Sequence, residues 1–259
     1  MTISITLEDL EYDLPNDCIA THPVSPRSSA KLLVVKNGTF LHKTVSDLAS
    51  LLPKDALLVV NETAVLPARF KTSRAITGGK GEGLFLKQHG SIWEVMLKSN
   101  GKLRKGVLLE LQNDIQLELL ERVGKNWMCT CSDSRDAREI LQEIGTTPIP
   151  PYILSARGDS KTDDLQDREH YQTVYADTTQ NFSLAAPTAG LHFDEQLLLE
   201  LETKGIQRVP VTLHVGPGTF KGIETPTIEE HEMHEENWEV CQASLDAIKE
   251  AKVAGRPVI

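Results

Sequence analysis

Residues 56–70 have the sequence ALLVVNETAVLPARF, and this stretch separates two parts of the chain with different patterns. The apolar run 56–60 is typical of a buried strand. The polar residues Asn61, Glu62 and Thr63 follow it, and Pro67 interrupts the next apolar residues. From about residue 71 the chain turns to short alternating segments. The stretch therefore predicts that a buried strand of one domain ends here and that a second domain begins near residue 71.

Upstream of this stretch, the sequence mixes strand and helix patterns. Residues 31–35 (KLLVV) are typical of a strand, and the Asn-Gly pair at 37–38 favours a turn. Apolar residues spaced at helical intervals over 45–52 predict a short helix that Pro53 ends. These elements indicate an α/β domain.

Downstream, the pattern is that of a small all-β module. A glycine cluster at 78–83 opens a series of short strand-like segments separated by turns. The segments are LFL at 84–86, IWEVML at 92–97, VLLEL at 107–111 and IQLELL at 115–120. A short helix at 138–144 and a proline-rich stop at 146–152 close the module. We therefore place its second boundary near residue 149.

After residue 150, helices and strands alternate again. Residues 195–204 predict a helix that Gly205 terminates, and 208–215 predict a strand. A second helix over 244–252 ends at Gly255, and residues 257–259 begin another strand. The alternation predicts a return to the α/β domain.

Composition narrows the class of protein. A chain of 259 residues with 40% hydrophobic content can bury a sizeable core. Its longest apolar runs are far shorter than the roughly 20 residues that span a bilayer, and its start lacks the pattern of a leader peptide. Four cysteines are too few for a disulfide scaffold. We expect a cytoplasmic protein that does not enter a membrane and keeps its thiols reduced.

The charge distribution leaves RNA binding open. A net charge of −10 argues against a general nucleic-acid binder. Residues 60–110 nevertheless contain nine Lys or Arg against four Glu, whereas acids dominate over 220–250. A basic lobe of this kind could hold RNA on one side, although most charge runs are solvated surface.

Side chains suited to catalysis are most concentrated between residues 170 and 240. Four of the eight histidines fall there: His192, His214, His231 and His234. Each stands beside a turn or a strand end, and an imidazole that titrates near neutrality suits proton abstraction. Histidines that bond loop backbones are one alternative. A metal site built from His231, His234 and Glu236 is another, although these histidines are three residues apart and zincin histidines are four apart.

Two further features suit ligand binding. The loop GPGTFKG at 216–222 matches neither a dinucleotide nor a P-loop fingerprint, so we interpret it as a close approach of backbone to a ligand or as a plain tight turn. Arg69 follows the buried strand, and Arg27 lies in SPRSS. Each guanidinium could clamp a carboxylate or phosphate, or could form a structural salt bridge.

Several blocks of the sequence, taken in order, resemble one family: the S-adenosylmethionine:tRNA ribosyltransferase-isomerases of queuosine biosynthesis. The blocks are YDLPNDCIA at 12–20, HPVSPR at 22–27, LLVVNETAVLPARF at 57–70, YQTVYA at 171–176, AAPTAGLHF at 185–193, VTLHVGPGTF at 211–220 and HEMHEE at 231–236. Their order and spacing extend the resemblance over almost the whole chain.

The resemblance implies a fold and a reaction. It implies a larger α/β barrel-like domain, here residues 1–70 and 150–259, interrupted by a small β-barrel domain at 71–149. The implied reaction transfers and isomerises the ribosyl group of S-adenosylmethionine onto 7-aminomethyl-7-deazaguanine in tRNA, giving epoxyqueuosine and releasing adenine and methionine. The partners implied are tRNA and S-adenosylmethionine as co-substrate. We expect a monomer with no metal and no other cofactor.

That chemistry needs a base beside the sulfonium, a donor for the departing adenine and a grip on the methionine carboxylate. We assign proton transfers to the four histidines, and we count Glu236 with them. The residues expected to bind substrate are Arg27, Asn61, Arg69, Tyr171, Gln172, Tyr175, Pro187, Thr188, Gly190, Gly216, Gly218 and Thr219.

The sequence departs from the family pattern in two places. The segment DTTQNFSL at 177–184 precedes AAPTAG, where family members usually have a shorter lead-in. Family members also continue beyond the point at which this sequence stops, so we expect the larger domain to be incomplete at its C-terminal end. A tRNA-binding relative without turnover is therefore the alternative function.

Overall fold

The computed structural model describes residues 5–158, 163–220, 222–223 and 225–259. The chain divides into two compact units. The larger unit comprises Met1–Ala64, Ile149–Lys161 and His170–Ile259, and the barrel unit comprises Val65–Pro148 and Thr162–Glu169. The second unit thus begins six residues before the predicted position 71 and includes a short segment after residue 160 that the sequence did not assign to it.

Eleven strands and six α-helices form the described part of the chain. The strands are β1 (Lys31–Lys36), β2 (Thr39–Thr44), β3 (Leu57–Asn61), β4 (Arg69–Arg74), β5 (Lys80–His89), β6 (Ile92–Ser99), β7 (Leu108–Glu110), β8 (Gln116–Val123), β9 (Asn126–Cys131), β10 (Gln207–His214) and β11 (Asn237–Glu239). The helices are α1 (Leu48–Leu51), α2 (Ala137–Ile144), α3 (Pro151–Arg157), α4 (Asp164–His170), α5 (Glu195–Thr203) and α6 (Gln242–Val253).

The first strand belongs to a hairpin. β1 pairs antiparallel with β2 across the predicted turn, where Asn37 and Gly38 have φ angles of 50° and 75°. Positive φ at both central residues is what a tight two-residue hairpin turn requires, and an Asn-Gly pair adopts it readily. The predicted strand and turn are confirmed. β2 was not predicted, because nearly all of its residues are exposed and its sequence TFLHKT has no apolar alternation.

A mainly parallel sheet organises the larger unit. β3 pairs in parallel with β10, and β11 pairs antiparallel with the other edge of β10. The chain end adds a parallel bridge between Leu57 and Val258, with Val59 N–H donating to Ile259 O at 2.7 Å. The predicted strand onset at 257–259 is thereby confirmed.

Both faces of this sheet are covered, which explains the continuous apolar run at 56–60. On one face, Leu58 and Val60 pack with Leu197 and Leu201 of α5. On the other face, Leu57 packs with Val209 and with Ala251 of α6. A strand covered on both faces has no polar side, so its residues do not alternate.

The barrel unit contains a closed six-stranded barrel with the strand order β4-β5-β6-β9-β8-β7. Its core includes Phe70, Phe85 and Trp93, whose rings meet edge to face with Phe70 and Phe85 centred 6.3 and 5.1 Å from Trp93. A Cβ at Gly83 would overlap the Phe70 ring. The glycine therefore makes room for the aromatic ring, and β5 keeps its pairing with both neighbours through this point.

Two helices were missed at the second boundary. The proline-rich stretch 146–152 predicted a break, yet α3 begins at Pro151, and α4 follows within ten residues. Proline is well tolerated at the first position of a helix because its missing N–H would have no partner there. The stretch is therefore both the end of one element and the start of another.

Among the described residues, no helix is long and apolar enough to cross a membrane. Residues 1–4, on which part of the expectation of no leader peptide rests, lie outside the described residues.

Candidate functional site

The candidate site lies in the larger unit, beyond the carboxyl ends of the parallel strands β3 and β10. Asn61, the last residue of β3, joins the two ends: its Nδ2 donates to Leu213 O at 2.9 Å, and its Oδ1 accepts from Leu213 N at 3.0 Å and from Thr63 N at 3.1 Å. All the polar atoms of the Asn61 side chain are thereby used within the fold. In α/β sheets this end of the strands is where ligands usually bind.

His214, the last residue of β10, is held by two buried hydroxyls. Its Nδ1 lies 2.9 Å from Thr63 Oγ1, and Thr63 Oγ1 lies 2.9 Å from Ser183 Oγ. Thr63 and Ser183 are both fully buried. Ser183 Oγ also accepts from Val215 N at 2.8 Å, and Thr63 Oγ1 can donate to Gln180 O at 3.3 Å. Among the described residues, hydrogen bonds therefore hold the His214 ring through Nδ1, and the Phe182 ring meets it edge to face with centroids 5.2 Å apart.

Burial also sets the charge of this histidine. Desolvation lowers the pKa of His214 below its ordinary value of 6.5, and the carboxylate of Glu239 opposes part of that shift. A neutral imidazole can accept a proton, whereas a protonated one cannot. Near pH 7, His214 is in the form that a general base requires.

A second histidine is fixed by a carboxylate beside the glycine loop. His234 Nε2 lies 3.0 Å from Glu236 Oε1, and the same oxygen accepts from Gly216 N at 2.8 Å. A Cβ at Gly218 would overlap the His234 ring. The loop therefore approaches His234 as closely as only glycine permits. Of the loop 216–222, residue 221 lies outside the described residues.

Strand pairing brings these two groups together. β11 pairs antiparallel with β10 so that Asn237 faces His214. Glu236 immediately precedes Asn237, and Gly216 follows His214 by two residues. The predicted residues His214, Gly216, Gly218, His234 and Glu236 therefore meet at one strand end.

The predicted residues Arg27, Gln172, Tyr175 and Gly190 belong to a second group in the same unit. Arg27 Nη1 donates to Gln172 O at 2.5 Å. The Tyr175 ring meets Phe193 edge to face with centroids 6.3 Å apart, and the Arg208 guanidinium carbon lies 5.4 Å from the centre of the Tyr175 ring. A Cβ at Gly190 would overlap the Tyr175 hydroxyl.

An open groove of about 720 Å³ runs along this second group, between Tyr175 and α5. Burial raises the pKa of Tyr175, partly offset by Arg208, and burial raises the pKa of Tyr171 to about 12. Both phenols therefore stay protonated near pH 7 and can donate hydrogen bonds.

The remaining predicted residues of this unit lie in short 3₁₀ helices or directly beside them. His192 is exposed and its Nδ1 lies 3.2 Å from Ala189 O, while Thr188 donates to Ala186 O at 3.4 Å from a position directly after Pro187. His231 follows a single 3₁₀ turn, and Thr219 is exposed. Within the described residues, no hydrogen bond joins His192 or His231 to His214 or His234.

Arg69 belongs to the barrel unit. It stands at the start of β4, where its Nη2 forms an ion pair with Glu82 at 2.5 Å. Of the two alternatives given for Arg69, the structure shows the salt bridge.

Sequence reasoning missed Thr63 and Ser183. Both lie in segments that were quoted for other reasons, Thr63 directly after the buried strand and Ser183 in the segment 177–184. Small hydroxyl residues are common in loops, so their sequence carries no distinctive signal. Among the described residues, no group of three or more His, Cys, Asp or Glu is arranged to hold a metal ion.

Comparison with known proteins identifies relatives of the whole chain. The S-adenosylmethionine:tRNA ribosyltransferase-isomerase of Desulfitobacterium hafniense is 39% identical over 258 residues, which cover 98% of this chain and 73% of that protein. The enzyme of the same name from Acetivibrio thermocellus is 38% identical over 258 residues, with the same coverage of 98% and 73%. This chain is thus shorter than the relatives it matches.

A crystal structure of S-adenosylmethionine tRNA ribosyltransferase from Thermotoga maritima matches 95% of this chain and 66% of that chain, with 24% identity and a TM-score of 0.39. A TM-score at that level does not establish a common arrangement of the two units. The sequence comparisons do not depend on it, since a family model described as queuosine biosynthesis protein matches residues 7–259. With that match and relatives 39% identical across nearly its full length, the chain belongs to the queuosine biosynthesis protein family.

Proposed function

We propose that this protein is an S-adenosylmethionine:tRNA ribosyltransferase-isomerase that acts on 7-aminomethyl-7-deazaguanine in tRNA. In this reaction the amine nitrogen of the modified base forms a bond to the ribosyl group. The ribosyl bonds to sulfur and to adenine break, so that methionine and adenine leave, and the ribosyl group rearranges internally as a new C–O bond closes the epoxide. The product is epoxyqueuosine in tRNA. The relatives that carry this enzyme name, at 38–39% identity, support the proposal.

The observation that carries the proposal is the setting of His214: burial lowers its pKa, its Nδ1 lies against Thr63 Oγ1, and among the described residues no hydrogen bond engages its Nε2. A base must remove a proton beside the sulfonium, and a catalytic base works best when it is unprotonated at the working pH. All hydrogens of the network are used if His214 Nδ1–H and Ser183 O–H both donate to Thr63 Oγ1 while Thr63 donates to Gln180 O. This arrangement leaves the Nε2 lone pair as the base.

The other predicted residues take supporting roles in the proposal. His234, aligned by Glu236, is proposed to transfer a proton to the departing adenine, with His192 and His231 as further proton carriers. Tyr171 and Tyr175 are proposed to shape the pocket. Asn61 and the loop residues Pro187, Thr188, Gly190, Gly216, Gly218 and Thr219 are proposed to line it, since ligands approach backbone most closely where side chains are small.

Arg27 and Arg69 remain the proposed grips for the methionine carboxylate. Each now has a partner, Gln172 O for Arg27 and Glu82 for Arg69, so each would exchange that partner on binding. A guanidinium suits this role because its fork of donors matches the two oxygens of a carboxylate.

The proposal also covers the domain organisation, the oligomeric state and the cellular location of the enzyme. Residues 1–70 and 150–259 are proposed to form an α/β barrel-like catalytic domain, supported by the parallel pairing of β3 with β10 and with Val258. Residues 71–149 are proposed to be an inserted β-barrel domain. We propose that the enzyme works as a monomer in the cytoplasm, with S-adenosylmethionine as co-substrate and without a metal or other cofactor.

The decisive experiment measures adenine release from S-adenosylmethionine, with tRNA carrying 7-aminomethyl-7-deazaguanine and with unmodified tRNA. We expect release only with the modified tRNA. His214→Ala should lower kcat by about 10²–10⁴-fold, the usual contribution of a general base. His42→Ala, at an exposed position of the β1–β2 hairpin, is the matched control and should leave kcat unchanged.

No adenine release by folded wild-type protein would overturn the proposal. Binding of tRNA without release would then favour a relative that binds tRNA and does not turn over. Full activity of His214→Ala would remove His214 as the base.

A further inference from the structure

One end of the barrel gathers cations that the proposed reaction does not use. Two chain segments meet there, residues 71–81 and 97–109, and neither contains an acidic residue. Their cations are Lys71, Arg74, Lys80, Lys98, Lys102, Arg104 and Lys105. In a chain with a net charge of −10, this is a marked local excess of positive charge. We call these seven residues the cationic end.

The barrel topology brings the two segments together. β5 pairs with β6 so that Gly81 faces Ser99, and Arg74 at the end of β4 donates from Nη2 to Lys102 O at 3.1 Å. The β4–β5 turn and the β6–β7 loop therefore lie side by side. Separate runs of the sequence become one surface.

The cations at this end are available to a ligand. Apart from Arg74, which is half-buried, all of them are exposed. Within the described part of the chain, none of the seven forms an ion pair within 4.0 Å. Glu82, which stands directly across from Lys71 on β4 and from Lys98 on β6, pairs with Arg69 instead. Unpaired cations that repel one another in the free protein are expected where an anion binds.

The surface also has a cavity with polar donors. An open cavity of about 650 Å³ is lined by three of these lysines, by the polar residues Ser99, Asn100 and Gln112, and by Glu82 and Glu110, among others. The Oγ of Ser99 and the Nε of Arg74 are buried without a hydrogen-bond partner among the described residues. Hydroxyl and amide groups together with Lys and Arg are the usual contacts of a nucleic-acid backbone.

We propose that the cationic end binds the sugar-phosphate backbone of the tRNA substrate. The inference rests on the proposed function, which supplies tRNA as the ligand. Phosphate contacts provide most of the sequence-independent affinity of proteins for nucleic acids, and they fix the register in which the reacting base is presented. An acidic enzyme needs such a local surface, because its net charge repels the polyanion.

The test compares two triple variants that change net charge equally. The first is K98Q/K102Q/K105Q, and the matched control is K36Q/K54Q/K87Q, whose exposed lysines lie on β1, before β3 and toward the opposite end of β5. Binding of tRNA is measured by fluorescence anisotropy over a range of salt concentrations, and circular dichroism confirms that both variants are folded.

We expect the first variant to raise Kd for tRNA at least about 10-fold near 0.1 M salt. Each lost contact should flatten the slope of log affinity against log salt by about 0.7 to 0.9, whereas the control should match the wild type. In turnover, KM for tRNA should rise by the same factor while kcat and KM for S-adenosylmethionine stay unchanged.

Equal Kd and equal salt slopes for the two triple variants would overturn the inference. Adenine release by the wild type at saturating tRNA is scored separately. Adenine release combined with equal tRNA binding by the two variants would refute the RNA-binding role of the cationic end and support the proposed enzyme activity. Weaker tRNA binding by the first variant, without adenine release by the wild type, would refute the proposed enzyme activity and support the RNA-binding role of the cationic end.

Discussion

At the scale of single residues, the candidate site depends on buried side chains that hold its histidine in place. His214 is oriented by Thr63, and Thr63 is oriented by Ser183, both without solvent exposure. A hydrogen bond in such a place has few competing waters, so it can fix one ring orientation and one tautomer. Thr63 and Ser183 are positioning residues in this arrangement.

Replacing Thr63 with Val should test this role, because valine keeps the shape of threonine and removes the hydroxyl. His214 Nδ1 would lose its partner, at a cost of about 1–3 kcal/mol for a buried polar group left unpaired. We expect kcat for adenine release to fall and KM for S-adenosylmethionine to change little. Steady-state kinetics and the thermal midpoint of unfolding measure the two effects.

Thr63→Ser is the control, because it restores the hydroxyl and should recover most of the lost kcat. Equal kcat for the Val and Ser variants would contradict the positioning role.

The lowered pKa of His214 predicts a pH dependence. Since the pKa of His214 is lowered from 6.5, the acid limb of wild-type kcat/KM should lie below pH 6.5. The free energy of unfolding follows the same sign: as pH falls, the unfolded chain takes up the proton first, so the contribution of His214 to stability is complete above pH 6.5 and is lost below it.

Gly218 offers a second residue-scale prediction. A Cβ there would overlap the His234 ring, so Gly218→Ala should displace His234 from Glu236 and reduce kcat. Gly222→Ala is the matched control, since a Cβ at Gly222 meets nothing within 4 Å. The assay is adenine release at saturating substrates. Normal turnover in the Gly218 variant would show that His234 does not need its present place.

At the scale of elements, the sequence predicts best those strands and helices whose buried residues form a clear apolar pattern. β3 was predicted from its unbroken apolar run, and α5 from the helical pattern of residues 195–204 that Gly205 ends. β2 was missed because it packs on little, so its side chains carry no pattern. α3 was missed because Pro151 signals a stop and a start equally.

The pairing between Gly83 and Phe70 carries an element-scale prediction. Gly83→Val should push against the Phe70 ring, which is 1% exposed, and overpacking of this kind costs about 1–3 kcal/mol. We expect a lower urea midpoint with an unchanged slope m. The double variant G83V/F70A should recover part of the loss that the sum of the two single variants predicts, because the new side chain occupies space that the ring vacates. Strict additivity would show that the two residues do not compete for space.

At the scale of the whole molecule, the sequence does not show which of the candidate residues become neighbours in space. The four histidines could be selected by type and by their position near turns. That His214 and His234 lie near the same strand end follows from the register of β10 with β11, which pairs His214 with Asn237, 23 residues further along the chain. The cationic end likewise depends on the pairing of β5 with β6. Residue types were readable from the sequence, whereas these neighbourhoods follow from long-range strand pairing.

The four cysteines, all free, allow the stability of the whole molecule to be followed part by part. Cys18 and Cys241 are exposed in the larger unit, whereas Cys129 is fully buried in the barrel, and burial raises the pKa of Cys129 to about 12. Alkylation requires an accessible thiolate, so Cys129 should react only when the barrel opens.

With iodoacetamide at pH 8 and peptide mass spectrometry, we expect rapid labelling of Cys18 and Cys241 in the native protein and labelling of Cys129 only on unfolding. In Gly83→Val the labelling of Cys129 should accelerate by about 5- to 150-fold, the range that corresponds to 1–3 kcal/mol, while that of Cys241 stays constant. Because Cys241 belongs to the other unit, it serves as the internal control. Native Cys129 that reacts as fast as Cys18 would show that the barrel is not closed in solution.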